Sequence, residues 1–210
     1  MRAEQPAAVH LADYRVPAFV IDHVDLRIEL FEHSALVHSR LRIRRNPEDG
    51  SGSRDLLLHG EELTLEALTL DGRPVENYRI EDGTLTVASV PEQFHLDITT
   101  RIHPQDNTRL EGLYKSSGMF CTQCEPEGFR RITYFLDRPD VMACYRTRIE
   151  ADQQVYPVLL ANGNPVDRGE LEDGRHQVTW EDPYPKPSYL FAMVAGDLVE
   201  KWDAFVKIGR

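Results

Sequence analysis

From Val24 to Leu30 every second side chain is aliphatic, Val24, Leu26, Ile28 and Leu30, while Asp25, Arg27 and Glu29 fill the gaps. A period of two puts these sets on opposite faces of an extended chain, so the segment reads as a strand with one face buried and one in water. Residues 36–44 repeat the device, with Val37, Leu41 and Ile43 inward and His38, Arg40, Arg42 and Arg44 outward, and Glu32-His33-Ser34 between them reads as a hairpin turn. Such strands need a second layer to cover their apolar faces.

Further strand signals follow at short intervals. An apolar run at Leu56-Leu57-Leu58 precedes a strand at 63–70 that ends at Asp71-Gly72. Segments 78–80 and 85–87 flank the hairpin signal Glu81-Asp82-Gly83, and Phe94, Leu96, Ile98 and Ile102 mark the next strand. No window of 11–18 residues before position 104 carries a 3.6-residue apolar period. The expected fold is therefore all-β, an antiparallel β-sandwich-like domain. Strand patterning returns at 145–151 and 155–160, then Asn162-Gly163-Asn164-Pro165 reads as a turn, Asp173-Gly174 separates Leu171 from Val178 and Trp180, and 190–195 reads as a buried apolar run.

Residues 104–140 break the pattern with Gly112, Ser116-Ser117-Gly118, Glu125-Pro126-Glu127-Gly128 and Arg138-Pro139-Asp140. The stretch is long for a connection, and its apolar content, Leu113, Tyr114, Met119, Phe120, Phe129, Tyr134, Phe135 and Leu136, argues against disorder. One long ordered loop that carries function is the expectation.

Composition narrows the partners. The 210 residues include 24 Lys+Arg and 35 Asp+Glu, a net charge of −11, which opposes binding to nucleic acid or an anionic membrane. No apolar run approaches the ~20 residues of a spanning helix. The opening Met1-Arg2-Ala3-Glu4-Gln5-Pro6 lacks the apolar core of a signal peptide, so a cytoplasmic protein beginning near Met1 is expected.

Three cysteines, Cys121, Cys124 and Cys144, make a disulfide framework improbable. Cys121-Thr122-Gln123-Cys124 has the spacing of half a zinc site or of a redox pair, but neither a second ligand pair nor a flanking βαβ unit accompanies it. None of the eight histidines is followed by Glu, so no H-E-x-x-H zinc helix is present, and the nucleophile-elbow, P-loop and dinucleotide fingerprints are missing too. The remaining candidates are Gln123, Glu125 and Glu127, acids and an amide suited either to bind a cation or simply to face water. Asp137-Arg138-Pro139-Asp140 reads as a salt-bridged turn or an anion site.

Taken together, residues 110–116 (LEGLYKS), 121–130 (CTQCEPEGFR) and 134–141 (YFLDRPDV), followed by 156–164 (YPVLLANGN) and 180–192 (WEDPYPKPSYLFA), resemble the N-terminal domain of the bacterial aminopeptidase N family. The resemblance covers essentially the whole chain. It implies a saddle-shaped β-domain, residues 1–197, with 198–210 starting the connection to a thermolysin-like catalytic domain of the same polypeptide that this chain does not contain. It also implies a zinc-dependent aminopeptidase acting on peptides, in which the glutamate of the Q-x-E segment binds the substrate's free α-amine. That role falls here on Glu125, with Gln123 beside it. The family's G-A-M-E-N segment, zinc motif and catalytic tyrosine are absent, so this chain alone is expected to hold no zinc, to carry no catalytic residue and to be inactive. A free-standing β-sandwich binding module is the competing reading.

Overall fold

The computed structural model describes residues 10–199, 201, 203 and 204. The expected start at 1–6 and most of the connection expected at 198–210 lie outside them. Fifteen strands follow in chain order: β1 Phe19–Leu30, β2 Ala35–Arg45, β3 Leu56–His59, β4 Thr64–Leu70, β5 Arg73–Pro74, β6 Tyr78–Glu81, β7 Thr84–Val87, β8 Gln93–Ile102, β9 Gly112–Ser116, β10 Met119–Gln123, β11 Met142–Asp152, β12 Val158–Ala161, β13 Asn164–Glu170, β14 Arg175–Pro187 and β15 Met193–Gly196. Among the described residues the only helical elements are three-residue 3₁₀ turns. The fold class is all-β and sandwich-like, as the alternation predicts.

The strands form an eight-stranded sheet in the order β13-β14-β11-β1-β2-β8-β4-β5, a four-stranded sheet β12-β15-β10-β9 and a three-stranded sheet β3-β7-β6. The expectation of antiparallel pairing needs one correction: β1 and β11 run parallel, from His23 opposite Cys144 to Glu29 opposite Glu150. More than a hundred residues separate the two strands, so the local hairpin signals could not reveal this pairing. β1 also begins earlier than its alternation suggests. The register shifts between Ile21 and His23, a bulge that turns both Ile21 and Val24 inward and breaks the period of two.

All three sheets feed one apolar core. Val24, Leu26, Ile28, Val37, Leu41 and Ile43 of the large sheet meet Leu58 and Leu85 of the smallest and Phe120, Leu159 and Met193 of the third. The outer face of the large sheet is solvated and laced with ion pairs, such as Arg27–Glu150 at 2.6 Å and Arg44–Asp22 at 2.9 Å.

Three other expectations shift. The segment 190–195 is alternating rather than continuously buried, with Phe191, Met193 and Ala195 inside and Leu190 half-exposed, because β15 has one face to the core and one to water. The turn at Asn162 is shorter than expected, and Asn164 already opens β13, an edge strand whose almost wholly exposed side chains leave no alternation to read. Its Pro165 sits where a missing donor is tolerated. β12 starts only at Val158, since the Asp152 carboxylate accepts the amides of Gln154 and Val155 in a turn before it.

Candidate functional site

The stretch 104–140, expected as one loop, is ordered but contains the β9–β10 hairpin, which turns at Ser117 and Gly118, both at positive φ. β10 then pairs with β15, and Thr122 reinforces the junction: its hydroxyl donates to the Met193 carbonyl at 3.2 Å and accepts the Met193 amide at 2.8 Å. The chain next makes a tight turn over 124–128, closed by the Gly128 amide on the Cys124 carbonyl at 2.8 Å, and enters a 3₁₀ turn at Phe129–Arg131. Phe129 is fully buried and stacks edge-on against Phe135, Phe191 and Tyr145.

Two glycines make the turn possible. A Cβ on Gly128 would lie 2.3 Å from the Gln123 carbonyl oxygen and 2.8 Å from the Gly112 nitrogen. Gly112, at φ +71°, has room for none either, with Arg131 Cβ at 2.6 Å. This contact sets the base of the 124–128 turn, from which Gln123, Glu125 and Glu127 all project as exposed residues. The structure thus brings the two expected site residues together: the Gln123 side-chain amide donates to the Glu125 carbonyl oxygen at 3.1 Å.

The 3₁₀ turn that follows carries a cationic pair. Arg131, its side chain only 4% exposed, reaches Glu61 at 2.6 Å, Glu62 at 2.8 Å and Glu111 at 3.2 Å. Arg130 contacts Glu127 at 3.2 Å, and its backbone amide and Nε both donate to one carboxylate oxygen of Asp137, at 3.2 and 3.1 Å. Asp137 is buried, and its other oxygen accepts the Ser188 hydroxyl. Among the described residues Glu125 has no cationic side chain within 4.0 Å, unlike Glu127 on the same turn and unlike Glu61, Glu62 and Glu111 around Arg131.

Sequence reasoning missed Arg130, Arg131 and Glu61, whose partners lie up to 70 residues apart. The available signal was the adjacent pair Arg130-Arg131 in an acid-rich chain. Asp137 also departs from the expected local turn. Arg138 does pair with Asp140 at 2.7 Å, and its hydrogen bond holds the Asp140 carboxyl below its usual range, but Asp137 turns inward to Arg130. His59 is packed nearby through backbone bonds to Phe135, and burial pushes its imidazole below its usual value.

The thiols are poorly placed for chemistry that needs a thiolate. Burial raises Cys121 and lifts the deeply buried Cys124 far above the ordinary thiol range. Cys144 donates to the Pro183 carbonyl at 3.0 Å. Among the described residues no group of three or more His, Cys, Asp or Glu is placed to hold a metal ion, and the zinc implied by the resemblance was expected on residues of a catalytic domain that this chain does not contain. Among the described residues no helix is long and apolar enough to cross a membrane. Cavities of about 430 Å³, lined by Phe31, Lys115, Tyr156 and Arg175 among others, and about 320 Å³, beside His176 and Trp180, lie elsewhere and include neither Gln123 nor Glu125.

The chain is similar in sequence and fold to known proteins. The family model described as Peptidase M1 N-terminal domain matches residues 20–190. Aminopeptidase N of Caulobacter vibrioides is 49% identical over 208 residues, which is 98% of this chain and 24% of that protein. Aminopeptidase N of Escherichia coli is 46% identical over 202 residues, covering 96% and 23%. Among solved structures, Legionella pneumophila aminopeptidase A in complex with aspartic acid superposes with a TM-score of 0.86 at 40% identity, over 90% of this chain and 22% of that one. The M1 zinc metallopeptidase of Deinococcus radiodurans shares the fold, with a TM-score of 0.77 at 17% identity over 91% of this chain and 45% of that one. The chain spans about a quarter of the length of the curated relatives it matches.

Proposed function

The chain belongs to the peptidase M1 N-terminal domain family, and from that membership we propose that it is the substrate-anchoring and scaffolding β-domain of a zinc-dependent aminopeptidase. In this reading Glu125 is the carboxylate that pairs with the free α-amine of a peptide, and Gln123 steadies its backbone. The observation that carries the reading is the pairing pattern of the acids that meet Arg130 and Arg131, set against Glu125. Glu61, Glu62, Glu111 and Glu127 each have an arginine, whereas Glu125 has none among the described residues.

An exopeptidase must tell a chain end from an internal peptide bond. The end carries an amine with a pKa of about 7.7–8.0, largely protonated at neutral pH, while an internal amide is neutral. A carboxylate already neutralised by arginine offers an ammonium little, and an unpaired one offers a charge-assisted hydrogen bond. Glu125 is exposed here, so the contact gains strength where a second wall excludes water. We assign that wall to the catalytic domain of the same polypeptide, which would also hold the zinc and supply its Lewis-acid chemistry. Three free cysteines suit the reducing cytoplasm in which we place the enzyme.

The test is Glu125→Gln in the complete gene product, assayed on an alanyl p-nitroanilide. Loss of a hydrogen bond to a charged group predicts a fall in kcat/KM of about 10- to 100-fold. The wild-type KM should also rise above a pH of about 8, where the ammonium is lost, and this rise should flatten in the variant. Wild-type kinetics in Glu125→Gln would refute the assignment.

A further inference from the structure

Glu125 and Glu127 are two exposed carboxylates on one short turn, and their own chemistry does not distinguish them. Their surroundings do. We propose that Arg130, clamped on the buried carboxylate of Asp137, is a positioning residue that makes Glu125 the amine anchor by occupying Glu127; this rests on the anchor reading above.

The clamp is built from the core outward. The Asp137 side chain is 1% exposed, one oxygen held by the Ser188 hydroxyl and the other by the Arg130 amide and Nε. Arg130 Nη2 adds a bond to the Asp137 carbonyl at 3.1 Å, which leaves Nη1 directed to Glu127 at 3.2 Å. Only a planar guanidinium makes this set of contacts at once. The clamp leaves Nη1 alone free to choose a partner, and Glu127 occupies it, with Glu61 farther off at 3.9 Å, so removing the Glu127 carboxylate would open Nη1 to the other carboxylate of the turn, Glu125. Glu127 is thus paired in place, and Glu125, without an arginine among the described residues, is left open to an external cation.

The experiment is a double-mutant cycle in the complete gene product on the same alanyl p-nitroanilide. Glu127→Gln leaves the clamp intact, and Glu127 is 63% exposed, so folding is preserved. Arg130→Lys keeps the charge and loses the fork. In the Glu125 background each change should raise KM about threefold to tenfold with kcat within about twofold. In the Glu125→Gln background both effects should vanish, because they act through Glu125. A purely structural role would add its full penalty in both backgrounds and would overturn the proposal, as would an unmoved KM in Glu127→Gln while Glu125→Gln alone is impaired. If Arg130→Lys fails to fold, the Glu127→Gln arm decides. Unaltered kinetics in Glu125→Gln would overturn the anchor reading and this inference together, a result distinct from either of the others.

Discussion

Gly128 shows how a single missing side chain shapes this turn. Its φ of −81° is open to any residue, so the demand for glycine is one of space: a methyl group would overlap the Gln123 carbonyl and the Gly112 backbone, neither of which can move aside like a flexible side chain. Gly128→Ala should therefore destabilise the chain by about 1–3 kcal/mol, the usual cost of overpacking. A lowered thermal midpoint, with far-UV circular dichroism unchanged at low temperature, is the expected signature. The same variant should impair the proposed anchor, since the displaced Gln123 carbonyl belongs to the residue that braces Glu125.

At the level of elements, the 3₁₀ turn at Phe129–Arg131 joins core and rim. Phe129 faces inward, with ring centroids 4.8 Å from Phe135 and 5.1 Å from Phe191, while the next two residues turn their guanidinium groups to the acids. The aromatic contacts come from three separate segments, so this turn also ties β11 and the segment that leads into β15 to the 124–128 turn. Phe129→Ala removes a fully buried ring and should cost about 3–5 kcal/mol, read as a lower urea midpoint. The loss of order should spread to 124–128, visible as faster amide exchange at Gly128, whose amide closes that turn.

Across the whole molecule, several groups resist protonation in the folded state. Burial first, and Arg130 second, depress the His59 imidazole below its ordinary 6.5. A hydrogen bond from Arg138 depresses Asp140, and Glu150, raised by burial, is brought below its ordinary range by Arg27 and Arg148. In each case the unfolded chain binds the proton more readily, so stability is full above the unfolded value and falls as the medium becomes more acid. The His59 contribution should disappear first, below pH 6.5, and those of Asp140 and Glu150 only below 3.8 and 4.5. Thermal midpoints measured across this range should fall in those two stages. His59→Gln should remove the upper stage and leave the lower one.

Features that rest on short-range order were legible before folding. The alternation at 24–30 and 36–44 fixed which side chains enter the core, because a period of two leaves no other arrangement. The Pro and Gly of residues 124–128 marked a turn there, and the chain does turn. Long-range packing set the parallel pairing of β1 with β11, the hairpin within 104–140, and which acids meet an arginine. Arg131 meets Glu61 and Glu62 only because distant segments converge, and Asp137 prefers Arg130 to its neighbour Arg138 because it is buried and must be hydrogen-bonded. Glu125 looks like any solvated acid in the sequence; only the fold shows that, of the two carboxylates on its turn, Glu127 meets an arginine and Glu125 meets none among the described residues.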